Sequence, residues 1–256
     1  MTRALLAAAL AAIALPMHAV ELRMLSAGAV EPGMRPALAA FERASGHTVA
    51  LSLAAAPALR AALRAPPAAD VIVAPQGVLD EFAATGAAMA GPRAPIGKVG
   101  VGVAVRSGVE APDITSAETL TAALTSAEIV VFNRASTGVY VEQMLQRLGV
   151  ADAVHAKSER FPDGASVMRR LLAGTSQREF GFGATTEIAL FRDRGLRFVG
   201  PLPAALQNYT SYVAVPWPGP QPGDAARASA VAALMRHLQG SESRSSFANA
   251  GIEPTQ

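Results

Sequence analysis

Between Leu22 and Ala84, short apolar runs alternate with amphipathic ones, and this alternation restricts the chain to a narrow set of folds. Leu22-Arg23-Met24-Leu25-Ser26, His47 to Leu53 and Asp70 to Pro75 read as strands, the last of them a buried one. Pro32 to Ala44, Pro57 to Arg64 and Leu79 to Ala84 read as helices. Met34, Leu38 and Phe41 recur at spacings of four and three, which places them on one helix face, and Gly46 supplies the stop. Strand and helix in this order make a parallel sheet with crossover helices.

Gly91, Pro92 and Pro95 mark a break. The glycine-rich strand Val99 to Arg106 follows, and the alternation restarts. Helices are expected at Ser116 to Ser126, Gly138 to Leu148, Ala165 to Ala173 and Thr186 to Arg192. Strands are expected at Glu128 to Asn133, Ala156 to Phe161, Glu179 to Gly183 and Leu196 to Val199. A returning strand, Tyr209 to Val215, precedes a turn cluster at Pro216 to Pro222 and a helix from Asp224 to Leu238. The expected fold class is α/β with two lobes, each a mostly parallel sheet flanked by helices. Residues 20–103 plus 210–256 form lobe I and residues 104–209 form lobe II. In open α/β sheets ligands sit outside the carboxyl ends of the strands, so two such lobes facing each other enclose a cleft.

The N-terminus reads as an address. Arg3 precedes twelve apolar residues, Ala4 to Leu15, followed by Pro16, Met17, His18 and Ala19. That run is too short for a bilayer, which needs about 20 residues, and its flanks are those of a secretory signal peptide spanning residues 1–19. Export to the periplasm is the expectation. The chain has no cysteine, which excludes disulfide scaffolds, thiol catalysis and iron–sulfur sites. Its four histidines are scattered and its formal charge is only +2, so neither a metal centre nor a nucleic-acid surface is expected. No cofactor is expected either, and a monomer is the default.

Four turns at strand ends carry small or hydroxylic side chains: Ser26-Ala27-Gly28-Ala29, Ala54-Ala55-Ala56, Ala135-Ser136-Thr137-Gly138 and Ala184-Thr185-Thr186. Small side chains let backbone amides approach a ligand, and unpaired amides at a helix start attract anions. Ser and Thr at such places also serve as ordinary N-caps, so each turn has a purely structural alternative. Arg134 is the one charge in a candidate turn, suited to gripping a carboxylate and equally suited to solvent. Tyr140, one turn into a helix, reads as either a ligand contact or core, and Asp163-Gly164 reads as a cap and turn.

The stretches LSAGAVEPGMRPALAAFERASGHTVALSL and PPAADVIVAP resemble the opening of periplasmic solute-binding proteins of ABC transporters, above all the molybdate-binding type. VVFNRASTGVYVEQMLQRLGV and EFGFGATTEIAL resemble second-lobe segments of the same family, and AALMRHLQGSESRSSFANAGI its last helix pair. The resemblance implies a two-lobed type II binding-protein fold, an ABC permease as partner, and a small anion held by serine hydroxyls and backbone amides. Carried over by position, the first serine is Ser26, and the second-lobe donors lie among Ala135, Ser136 and Thr137. The second-turn serine falls on Ala56 and the last segment reads Ala184, Thr185, Thr186, departures that mark a divergent branch. They leave open a molybdate-like oxyanion, another oxyanion or a small organic carboxylate.

The expected ligand-binding set is therefore Ser26, Ala27, Gly28, Ala55, Ala56, Arg134, Ser136, Thr137, Gly138, Tyr140, Thr185 and Thr186. Capture and delivery to a permease is the leading reading. A subunit that reports to a sensor is the first alternative, and a periplasmic hydrolase using Ser136 and His155 is the second. No G-x-S-x-G elbow supports a hydrolase, so no catalytic residue is expected and the chain is taken as a non-enzyme.

Overall fold

The computed structural model describes residues 19–65, 69–85, 91–217 and 224–255. The expected signal peptide, apart from Ala19, and most of the Pro216–Pro222 turn cluster lie outside these residues.

The first half of the chain builds β1 (Glu21–Ala27), α1 (Glu31–Ser45), β2 (Thr48–Ala54), α2 (Ala56–Arg64), β3 (Val71–Pro75) and α3 (Gln76–Ala83). β1 lies between β2 and β3, parallel to both, with Leu25 opposite Ser52 on one side and Ile72 on the other. All five residues of β3 are buried, as its unbroken apolar run requires of a strand covered on both faces. β4 (Ala94–Arg106) then leads into a second set: α4 (Ala117–Ser126), β5 (Ile129–Asn133), α5 (Ser136–Arg147), α6 (Ala151–His155), β6 (Ser158–Phe161), α7 (Gly164–Ala173), β7 (Glu179–Ala184), α8 (Thr185–Ala189) and β8 (Leu196–Pro201). The chain returns along β9 (Tyr209–Pro216) and ends with α9 (Ala225–Leu238) and α10 (Ser241–Asn249).

The strands run in the order β2-β1-β3-β9-β4-β7-β5-β6, with β8 paired to β4 off this path. β9 is antiparallel to β3 and to the first part of β4, where Gly100 faces Tyr209. From Val101 onward β4 is antiparallel to β7. β5 runs parallel to both β6 and β7. One strand thus belongs to both halves, and β9 brings the chain back to the first.

The apolar interior is divided accordingly. Leu22, Met34, Phe41, Leu59, Ile72 and Leu234 share one cluster under the first sheet. Val103, Leu120, Phe132, Met144 and Phe182 form a second, and Val167, Met168, Leu171 and Ile188 a third on the other face of the second sheet. The C-terminal helices belong to the first half. α10 packs so closely on α1 that a Cβ on Gly33 would lie 2.8 Å from the Phe247 ring. Arg227 on α9 reaches the buried carboxylate of Asp70 at 2.7 Å, and the same oxygen accepts from the Arg23 amide.

Three features differ from the pattern in the sequence. β4 begins at Ala94, so Pro95 lies inside a strand where a break is expected. The ladder to β9 shifts register between Pro95 and Gly97, and Gly97 holds φ at +145°, so the missing proline amide falls at an irregularity that tolerates it. α5 begins at Ser136 instead of Gly138, because Asn133 accepts from the Ala135 and Gly138 amides and organises the turn itself. α6 occupies a stretch that gives too few apolar positions to show a helical period, as does α10, which falls where the resemblance alone implied a last helix.

Candidate anion site between the two halves

Strand ends and helix starts from both halves converge on one cavity of about 690 Å³. The first half contributes Ala27, Gly28 and Ala29 after β1 and Ala54, Ala55 and Ala56 at the start of α2. The second half contributes Asn133, Ala135, Ser136 and Thr137 at the start of α5 and Asp163, Gly164 and Ala165 at the start of α7. The N-cap residues Ala55 and Ala135 carry no capping side chain; Asn133 takes the Gly138 amide of α5, and the amides of Ser136 and Thr137, like those of Ala56 and Ala58 on α2, are left for another acceptor.

Three arginines line the cavity and are largely exposed: Arg35 on α1, Arg169 on α7 and Arg194 on the turn after α8. Arg35 pairs with Glu31 at 2.7 Å, Arg169 donates to the Ser166 hydroxyl at 2.9 Å, and the Arg194 guanidinium lies over the Phe191 ring. Three carboxylates line it as well, and they differ in how they are engaged. Glu31 is taken by Arg35, while Asp163 caps α7 by accepting from the Ser166 amide at 2.7 Å. Glu187, in the first turn of α8, forms no ion pair among the described residues. Burial raises its pKa to about 7, the Asp163 and Glu31 carboxylates add to the rise, and a backbone contact at Ala184 opposes it. Tyr212 on β9 lines the cavity beside it. Burial, with the Glu187 carboxylate adding, pushes its phenol far above the ordinary tyrosine range, so Tyr212 is a neutral donor at any physiological pH.

Six residues of the expected set line this cavity: Ala27, Gly28, Ala55, Ala56, Ser136 and Thr137. The other six lie outside its lining. Ser26 is fully buried and its hydroxyl donates to the Ala27 carbonyl at 3.2 Å. Arg134 is exposed, and its amide donates to the Phe161 carbonyl. Gly138 is packed under Asn133, where a Cβ would lie 1.7 Å from the carbonyl oxygen. Tyr140 donates to the Leu206 carbonyl and accepts from Arg147 at 2.7 Å, which fixes it inside the second half. Thr185 sits against β4, where a Cβ on Gly102 would lie 3.2 Å from its methyl. Thr186 is buried and donates to the Ala29 carbonyl at 2.6 Å, a bond that joins the halves behind the cavity.

The sequence pattern did not single out Asn133, Tyr212, Glu187 or the three arginines. A tyrosine within a strand and arginines on helices look like core and solvated surface. A glutamate in a first helical turn looks like compensation of the helix dipole.

Two sheets that share a strand, with helix starts from both sides facing one cavity, define the two-lobed periplasmic-binding-protein fold. The sequence profile of the bacterial extracellular solute-binding proteins matches residues 22–253, and the chain belongs to that family. It is similar in fold to the periplasmic molybdate-binding protein of Azotobacter vinelandii, with a TM-score of 0.70 at 18% identity over 92% of this chain and 100% of that one. The sulfate-binding protein SubI of Mycobacterium tuberculosis gives a TM-score of 0.71 at 13% identity over 93% of this chain and 88% of that one. In sequence the chain is similar to aconitate isomerase from a Pseudomonas species, 28% identical over 244 residues that cover 91% of this chain and 87% of the relative. That relative overturns the expectation of a chain without catalysis. The expectation rested on the lack of a nucleophile elbow, which bears on nucleophilic catalysis alone.

No helix among the described residues is long and apolar enough to cross a membrane.

Proposed function

We propose that the chain binds a small organic polycarboxylate in the cavity between its halves and interconverts isomers of it by moving a proton. The cavity carries this reading. Its volume of about 690 Å³ falls within the roughly 300–1,000 Å³ of sites for small organic ligands, well beyond what a tetrahedral oxyanion fills. Alanine stands where a second serine hydroxyl would hold an oxyanion, while three guanidinium groups stand at the cavity edge. Guanidinium groups match carboxylates in geometry, and their number equals the three carboxylates of aconitate. The helix starts supply further donors for charge that spreads into a carboxylate when a neighbouring carbon loses its proton.

Shifting a double bond between the two arms of an unsaturated tricarboxylate is redox-neutral and needs one C–H bond broken and another formed. The alternative, a thiol adduct that frees the carbon–carbon bond to rotate, has no cysteine here to form it. The similarity to a protein named aconitate isomerase supports aconitate as the first substrate to test.

A second role, capture of the same anion for an ABC permease, is favoured by the family. In both roles the protein is an exported, periplasmic monomer whose lobes are residues 20–103 plus 210–256 and residues 104–209.

The test uses purified protein refolded to strip carried-over ligand. Thermal shifts are recorded with molybdate, sulfate and di- and tricarboxylates, and cis- and trans-aconitate are followed by proton NMR. A ligand at 100 times its Kd adds about 2.7 kcal/mol and raises Tm by several degrees. The expected outcome is a shift with tricarboxylates and interconversion of the two aconitates. A shift with molybdate alone and no interconversion overturns the reading.

A further inference from the structure

We propose that Glu187 is the residue that carries the proton, taking it from the methylene carbon of the bound polycarboxylate and returning it to the vinylic carbon two atoms away. This assignment rests on the isomerase reading above. Glu187 is placed by both halves at once. A Cβ on Gly28, in the first half, would lie 3.2 Å from its Oε1, and one on Gly164, at the start of α7, would lie 1.9 Å from its Oε2. Glycine at both positions is what lets the carboxyl group lie against the two turns. The group is thereby confined at the cavity wall between two backbone segments, one from each half.

Glu187 is also the one cavity carboxylate left free to exchange a proton with a ligand. Glu31 is held by Arg35, and Asp163 is committed to its helix cap. The other charged or titratable groups facing the cavity are Tyr212 on β9 and the guanidinium groups of Arg35, Arg169 and Arg194. Tyr212 stays protonated, while Glu187 titrates near neutrality. A group that must accept a proton and then give it back works best when its pKa is close to the working pH.

The step balances without a co-reactant. The carboxylate takes the methylene proton and that C–H bond breaks. Its electron pair spreads across the three-carbon frame into a carboxylate facing the arginines and helix starts. A new C–H bond then forms at the former vinylic carbon, the double bond moves by one position, and Glu187 returns to its starting state.

The test compares wild-type protein with Glu187→Gln and Glu187→Asp. The expected result is that Glu187→Gln lowers the rate of interconversion, and of deuterium uptake from heavy water into the methylene, by about 100-fold or more. Its Kd for tricarboxylate, read by calorimetry, stays within a few-fold of wild type. Glu187→Asp retains a reduced rate, because a carboxyl remains but is drawn back from the substrate. Thermal stability gives a readout independent of turnover. Below pH 4.5, the ordinary glutamate value, both folded and unfolded chains hold the proton, and between there and about 7 only the folded chain does. Wild type therefore loses stability as pH rises from about 4.5 to about 7 and levels off above, and Glu187→Gln lacks that slope.

Turnover by Glu187→Gln within threefold of wild type overturns the assignment and leaves the isomerase reading standing. Wild-type protein that neither interconverts the aconitates nor exchanges their protons overturns the isomerase reading itself, and the assignment with it. Should Glu187→Gln fail to fold, Glu187→Asp with an unchanged rate and pH profile overturns the assignment.

Discussion

The two walls of the cavity are built from the same part, a strand end that turns into a helix start, and they carry different side chains. On the first-half wall stand Ala27, Gly28, Ala29, Ala54, Ala55 and Ala56. On the second stand Asn133, Ser136, Thr137, Asp163 and Glu187. Those turns offer backbone amides alone, and the side chains that the first half adds, Glu31 and Arg35 of α1 and Tyr212 of β9, stand beside them. Amides attract negative charge and say little about a ligand's shape. The second wall adds hydroxyls, an amide that organises a turn, and carboxylates. Under the proposed function the turns divide the work: those of both halves attract the anion, and the proton carrier stands among those of the second.

The strongest test of this division is Gly138→Ala. The added Cβ would meet the Asn133 carbonyl oxygen at 1.7 Å, a backbone atom that cannot move aside. We expect a loss of about 3 kcal/mol or more, read as a lower urea midpoint for the second half while the first half unfolds as before. Equal destabilisation of both halves would show that the walls are one cooperative unit.

Thr186→Val comes next. It removes the hydroxyl that joins α8 to the Ala29 carbonyl and leaves that carbonyl without its partner. The cost is about 1–3 kcal/mol, seen in Tm. Small-angle scattering should show a larger radius of gyration if this bond holds the walls together.

The smallest effect belongs to Ala56→Ser, which gives the plain wall a hydroxyl. Molybdate or sulfate affinity should rise by up to about tenfold, since one added hydrogen bond is worth about 1 kcal/mol. Tricarboxylate affinity should change little. A rise for both would mean that the plain wall also reads shape.

Much of the framework was legible in the sequence. The strands β1, β2 and β3 and the helices α1 and α2 fall where the alternation of apolar and amphipathic runs places them. Six of the residues expected to bind ligand, Ala27, Gly28, Ala55, Ala56, Ser136 and Thr137, line the cavity for the same reason, because they stand at strand ends. The rest was hidden by what a single chain cannot display. Tyr140 and Tyr212 look alike in sequence, yet one is tied to the Leu206 carbonyl and the other reaches the cavity. Ser26 looks like a ligand donor and spends its hydroxyl on its neighbour's carbonyl. Glu187 owes its raised pKa first to burial and then to the carboxylates of Asp163 and Glu31, which lie 24 and 156 positions earlier in the chain.

β4 runs for thirteen residues and ends its pairing with β9 at Gly100, one residue before its pairing with β7 begins at Val101. The halves are therefore joined by a continuous beam rather than by a slack tether. Any widening of the mouth has to bend or twist that beam, and the ladder bonds on either side of Gly100 act as its clamps. Such a joint behaves as a leaf spring. It resists as it is deflected, with the Thr186–Ala29 bond as a catch between the halves, so under the proposed function entry and exit of the ligand draw on the elasticity of a strand as well as on the strength of the grip.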